Sequence, residues 1–392
     1  VSNPLQFLSN YGFVALAKEA IAGTAVPSTD YFELVSETLM RDPGTKPVAA
    51  MRGTRASNVT YIQGEGKLDG NIVVPFGPSI GLRALAAALG IDHVAGSTPS
   101  NATTLTANSA VGANSVALTA VTGFTVGGFI QLTSATTPAQ TEVHKILSIA
   151  ALVVTFATGE TLASAFATAD AAAVVVAPFT HTMTPKETGL PTLTIEKNLG
   201  GLTSLQWAGC MVSKAELKLS TTKEAEATYS IMGQKEAQVT PTTAAYTSET
   251  PYALANMSVS KAGAADVTPK SATLTIDNKG TGEYTFGGVN TPTMIYTGQR
   301  LITGTLAYLL QNMTDYNDAL AATPRDLAFT LSQSASDSCK FDLPNVVWGK
   351  PSIPLKLGDL IRVTMPFTAY YLAGATTDIT VTAVNGVWLG YC

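Results

Sequence analysis

Residues Tyr61–Phe76 read YIQGEGKLDGNIVVPF. Gln63, Glu65, Lys67, Asp69 and Asn71 fall on one side of an extended chain, and Ile62, Leu68, Ile72, Val74 and Phe76 on the other. Successive side chains of a strand point to opposite faces, so this period of two predicts a long strand or hairpin with one face in water. Gly64, Gly66 and Gly70 lie on the apolar side, where a missing side chain lets another backbone or a helix come close. The pattern then changes. Leu82, Leu85 and Leu89 recur at helical spacing between Ser79, an expected N-cap, and Gly90, an expected stop, so a short helix packs beside the strand.

Further along, Tyr296–Leu306 (YTGQRLITGTL) repeats the pattern of Ile62–Ile72 (IQGEGKLDGNI) at an offset of 234, and Thr314–Ala322 supplies a second short helix. The next blocks correspond at an offset of 136: Leu193 and Ile195 with Phe329 and Leu331, Lys214 with Lys350, Leu217 and Leu219 with Ile353 and Leu355, Thr228 with Thr364. The fall from 234 to 136 means that the first repeat carries extra chain after its helix. Between Ala95 and Pro178 the only charged side chains are Glu142, Lys145, Glu160 and Asp170, and β-branched runs recur at 115–124, 129–133, 142–149, 152–157 and 171–176. The expected organisation is a discontinuous first β domain (1–92 and 181–237), an inserted small all-β module (93–180) on the outer surface, a Thr/Ala/Pro-rich linker (238–251) and a second β domain (252–392). Ile379–Val384, the Asn385-Gly386 turn and Val387–Tyr391 read as a closing hairpin.

Composition narrows function. A chain of 392 residues suggests two or three domains. Charged residues are 13% of it, about half the usual share, so it either is secreted or hides much of its surface in an assembly. A net charge of −5 offers no general attraction to phosphates or acidic membranes. Cys210, Cys339 and Cys392 lie far apart, without metal-site spacing, and read as buried free thiols; no cofactor is expected. The start of the chain shows no signal peptide, and the apolar run Ile146–Gly159 is too short to span a bilayer.

Gly77-Pro78-Ser79-Ile80-Gly81 is a G-x-S-x-G between strand and helix, the context of a hydrolase nucleophile elbow. That reading requires a buried parallel strand and a later histidine, whereas the preceding strand alternates with charges and His93, His144 and His181 all lie in or beside the insert. Ser220–Lys223 and Ser258–Lys261 match S-x-x-K without the accompanying motifs. Residues 41–55 (RDPGTKPVAAMRGTR) set Arg41, Lys46, Arg52 and Arg55 against a single acid, Asp42, in a Pro/Gly-rich loop that could meet an acidic neighbour.

Taken in order, YGFVALAKEAIAGT (11–24), VSETL (35–39), GEGKLDGNI with its helix, and THTMTP…LPTLTIEK…GC…ELKLS resemble the major tail tube proteins of long-tailed bacteriophages. The resemblance covers most of residues 10–235 outside the insert. It implies a mainly β fold, a sandwich or barrel of two sheets flanked by a helix, whose subunits join strands into a ring around a lumen. Rings then stack into a tube that conducts DNA without specific binding. Members with one tube domain form hexameric rings; two fused domains would give a homotrimer, a pseudo-hexamer. Further implied are a virion location after assembly in the host cytoplasm, no membrane partner, and contacts with the tape-measure, tail terminator and distal tail proteins. The 41–55 loop would then contact the neighbouring subunit or ring. A secreted or surface β-rich adhesin or S-layer-like protein is the alternative, and a serine hydrolase using Ser79 the second.

Overall fold

The computed structural model describes residues 12–49, 58–246, 249–286, 290–355 and 357–392. The fold is mainly β, with antiparallel sheets and, among the described residues, two α-helices, Leu82–Leu89 and Thr314–Ala321. The quoted stretch is neither one strand nor a hairpin: Asn58–Gln63 and Lys67–Pro75 are separated by Gly64-Glu65-Gly66 and pair with different neighbours. Leu68, Ile72, Val74 and Phe76 are buried as their alternation requires, while Ile62, before the break, is exposed.

Lys67–Pro75 belongs to a sheet whose strands run in the order Ser36–Glu37 with Met40–Asp42, Lys67–Pro75, Glu226–Met232, the second half of Ser204–Ser220, Pro269–Asp277, Leu301–Leu309 and Arg362–Ala369. Ser352 adds a last bridge to Thr364. Behind it lie two smaller layers. Asp30–Phe32, Phe13–Lys18, Leu193–Asn198, the first part of Ser204–Ser220 and Lys235–Val239 form one. Ala264–Asp266, Met257–Lys261, Arg325–Ser334, Asp337–Trp348 and Thr380–Asn385 form the other. A single core joins all of these, from Val14 and Ile195 through Tyr229 and Leu274 to Phe367 and Val381.

The pairings repeat along with the sequence. Arg41 faces Leu68 as Ile276 faces Ile302, and Asp69 faces Met232 as Thr303 faces Thr368. Met211 faces Met232 as Val347 faces Thr368, and Glu216 faces Thr228 as Ser352 faces Thr364. The shifts are 235 for the first strand, 234 for the second and 136 for the last two, and the one-residue slip in the fourth strand recurs. Gly70 and Gly304 are equivalent as well: a Cβ on the first would lie 2.5 Å from the Thr38 carbonyl, and one on the second would collide with that of Thr273. A close approach of backbones therefore keeps glycine at this point of each repeat.

The helix Leu82–Leu89 starts after Gly81 (φ 84°) and ends at Gly90 (φ 102°), whose N–H reaches the Ala86 carbonyl. Its residues are buried apart from Arg83. Burying leucines such as Leu82 and Leu89 contributes about 1.5–3 kcal/mol each, enough to hold two turns that would not persist alone.

The extra chain joins through strands rather than a loop. Gly90–Thr104 and Ala171–Pro185 run antiparallel from the body outward, and Ala171–Pro185 also pairs with Thr380–Asn385. Beyond this stalk, Ser115–Ala117, Phe129–Thr133, Thr141–Ala150 and Val153–Phe156 enclose a separate core that includes Leu118, Ile130, Phe156 and Phe166. The expected C-terminal hairpin is not formed: Thr380–Asn385 is a strand and Val387–Tyr391 is not. Asn385 Oδ1 instead accepts the Val387 N–H at 2.9 Å, a side-chain turn, and the tail lies over the stalk. There the Val387 carbonyl is 2.9 Å from His181 Nε2, and the Tyr391 N–H donates to Asp92 at 2.7 Å.

Candidate assembly surfaces

The motif around Ser79 is tied to a carboxylate. Ser79 does not cap the helix; its N–H and that of Ile80 donate to Glu249 Oε2 at 2.8 and 3.2 Å, and its hydroxyl donates to Glu249 Oε1. The acid of the linker segment thus holds the turn before the helix. Among the described hydrogen bonds, none joins Ser79 to a histidine. His181 Nδ1 is 2.9 Å from Asp92, and His144 lies between Glu142 (3.2 Å) and Glu160 (3.4 Å). Burial pushes the His144 imidazole down, but hydrogen bonds to both carboxylates outweigh it and raise the pKa above the usual value. This cluster fixes the module to the tail, because Glu160 also accepts from Trp388 Nε1 at 3.2 Å. Cys210 and Cys339 are buried free thiols, and burial pushes the Cys392 thiol up to about 12.

The cationic loop is a β-arm in its described part. Thr45–Ala49 pairs with Asn58–Gln63 in a two-stranded sheet of its own, with Lys46 opposite Ile62. Its counterpart pairs Thr281 with Tyr296 at the same shifts of 235 and 234, a repeat that sequence inspection missed. Pro47 disguised the first strand, since proline within a run argues against one. Of the four cations, Arg41 and Lys46 lie among the described residues, and these two share no described partner. Arg41 is engaged within the chain, 3.8 Å from Glu236 and donating to Asn290 at 2.8 Å. Lys46 is exposed, and Arg52 and Arg55 lie outside the described residues. Asn290 lies in sequence between the two strands of the second arm and packs on the base of the first, where its side-chain amide donates to the Pro43 carbonyl at 2.9 Å.

Within the large sheet the two repeats meet along one seam. Ser204–Ser220 pairs with Pro269–Asp277, placing Leu217 opposite Leu274, Leu219 opposite Ala272 and Lys214 opposite Asp277. The apolar members are buried, and the other face is polar. Burial pushes the Asp277 carboxyl up, but hydrogen bonds from Lys279 and the charges of Lys279 and Lys214 leave it below the usual range. Asn278, also buried, ties the seam to the helix by donating to the Ala88 carbonyl at 2.8 Å. This face carries Thr228, Ser230, Thr273, Thr275, Thr303 and Thr368, with Lys214, Glu216 and Asp277 beside the seam.

A family model described as "Phage tail tube protein" matches residues 9–369 of the chain. No curated protein matches it. The chain belongs to the phage tail tube protein family and is a structural component of the phage tail.

Proposed function

We propose that this member of the phage tail tube family is the major tube subunit of a long-tailed phage, assembling as three-chain rings that stack into the DNA conduit. The observation that carries the reading is the repeated register: one chain holds two equivalent sheet units joined head to tail. A head-to-tail contact propagates until its rotation closes a circle, so three such chains supply six units to a ring. The hydroxyl-rich face of the large sheet then lines the bore. Its few cations stand among acids, so that DNA meets neither a strongly attractive nor an apolar wall.

The module belongs outside the tube, because its stalk pairs with the rear layer through Thr380–Asn385. Lys46, Arg52 and Arg55 contact the adjacent subunit or ring. Assembly takes place in the host cytoplasm, and the tape-measure, tail terminator and distal tail proteins meet the tube along its bore and at its ends. Class averages of purified particles, read with mass measurement of single rings, test the stoichiometry. Three chains and six-fold density modulation are expected; six chains per ring would overturn the fused-unit reading.

A further inference from the structure

The seam between the repeats has a counterpart at each end of the large sheet, and there no strand among the described residues supplies the second partner. Shifted back by 235, Pro269–Asp277 becomes the edge formed by Ser36–Glu37 and Met40–Asp42, which pairs on one side with Lys67–Pro75. Shifted forward by 136, Lys214–Leu219 becomes residues 350–355, which Ser352 and Thr364 tie to the opposite edge by two hydrogen bonds of 2.9 Å. Leu219 is 7% exposed at the seam, and its equivalent Leu355 is 80% exposed. With the peptide groups of Ser352 turned toward Thr364, those of Ile353 face outward. On the other edge, side chains occupy the place of a strand: the Leu39 N–H donates to Glu37 at 2.8 Å, and Lys197 Nζ donates to the Leu39 carbonyl at 3.0 Å. Lys197 and Glu37 are themselves 2.7 Å apart.

We propose that residues 350–355 of one chain add as an antiparallel strand to Ser36–Asp42 of a second copy, with Ile353 opposite Leu39, Ser352 opposite Met40 and Lys350 opposite Asp42. The assignment rests on the ring reading above and gives its chain-to-chain contact residue by residue. The register follows from the seam, which both edges reproduce in sequence and in pairing. A slip of one residue would turn Ile353 and Leu355 from the core face to the polar face, so hydrophobic burial selects this alignment. Lys350 opposite Asp42 repeats the Lys214–Asp277 charge pair. Ile353 takes over both peptide groups of Leu39, while Pro351, lacking an N–H, contributes only its carbonyl. In the free chain the Glu37–Lys197 pair blunts an edge that would otherwise add strands indiscriminately.

Replacing Met40→Cys together with Ser352→Cys tests the register. The two positions lie at opposite ends of a sheet some seven strand spacings wide, on the order of 30 Å, so a disulfide between them joins different chains. Facing residues of a pair that is not hydrogen-bonded approach within disulfide range. After mild oxidation the double variant should run on denaturing gels as reducible linked chains. Either single variant should stay monomeric, and Met40→Cys with Pro354→Cys, two residues out of register, should link at least about tenfold less. Rings seen by microscopy without the in-register cross-link, or linking better out of register, would overturn the pairing and leave the ring intact. Absence of both rings and cross-links would overturn the ring reading and the pairing with it.

Discussion

Two equivalent segments, 214–219 and 350–355, meet different fates. The first is a central strand with neighbours on both sides; the second touches one neighbour and carries Leu355 into solvent, followed by Leu357 and Leu360 at 103% and 67% exposure. The helices differ in the same direction. Leu82–Leu89 is enclosed, whereas of Thr314–Ala321 only Asp318 is buried, held by Arg325 at 2.8 and 2.9 Å. One blueprint thus gives a finished unit where the chain supplies the next unit and an unfinished one where it does not. Leucines that have no solvent role are best explained by the partner that would cover them.

The comparison is sharpest at the leucines themselves. Leu219→Asp places a carboxylate in the shared core and should cost about 3–5 kcal/mol or more, seen as a clear fall in melting temperature. Leu355→Asp should change the stability of the free chain by no more than about 0.5 kcal/mol yet abolish ring formation. Equal destabilisation by the two substitutions, or normal rings from Leu355→Asp, would break the distinction.

The equivalence behind this contrast is legible in the sequence, because it rests on periodicity and spacing. Leu68, Ile72, Val74 and Phe76 announce their face by alternation, and Lys214, Leu217 and Leu219 announce their equivalents by spacing. The features that escaped depend on long-range contacts or on backbone chemistry that periodicity does not encode. Ser79 looks like a helix cap from its neighbours, but its partner Glu249 lies 170 residues away. Asn385-Gly386 has hairpin chemistry, but His181 and Asp92 draw the tail across the stalk instead. The segment 350–355 matches Lys214–Leu219 in spacing, yet among the described residues its sheet bonds run through Ser352 alone; its second partner belongs to another molecule if the proposed pairing holds.

A second contrast sets the body against the module, and a smaller effect is expected from separating them. Ala95 and Thr180 are paired partners at the foot of the stalk, so a short Gly/Ser turn in place of residues 95–177 can close the hairpin without stretching the body. The deletion removes Glu160 from Trp388 and uncovers Phe179, which packs against Phe129 at 5.0 Å between ring centres. A loss of about 1–3 kcal/mol is expected from the lost hydrogen bond and contact, with rings still forming. An insoluble product, or density showing the module inside the bore of the full-length tube, would make the module part of the conduit.

The least effect is expected at the arm, where the two repeats differ in charge rather than in fold. The first arm sequence carries Lys46, Arg52 and Arg55; its counterpart has Thr281 at the place of Lys46 and no Lys or Arg through Tyr296. If only the first arm reaches a neighbouring chain, its cations meet acids there, while the second arm remains on its own molecule through Asn290. Exposed ion pairs contribute only about 0–1 kcal/mol each, but a tube repeats them around every ring, so small terms accumulate along its length. Arg52→Glu with Arg55→Glu should therefore leave the circular dichroism spectrum and ring formation unchanged while shortening tubes. The defect should depend on ionic strength, because salt screens exposed charges beyond a Debye length of about 10 Å at 0.1 M. Tubes of normal length from the double variant at both low and high salt would assign these arginines to a solvated face and leave stacking to the rest of the ring surface.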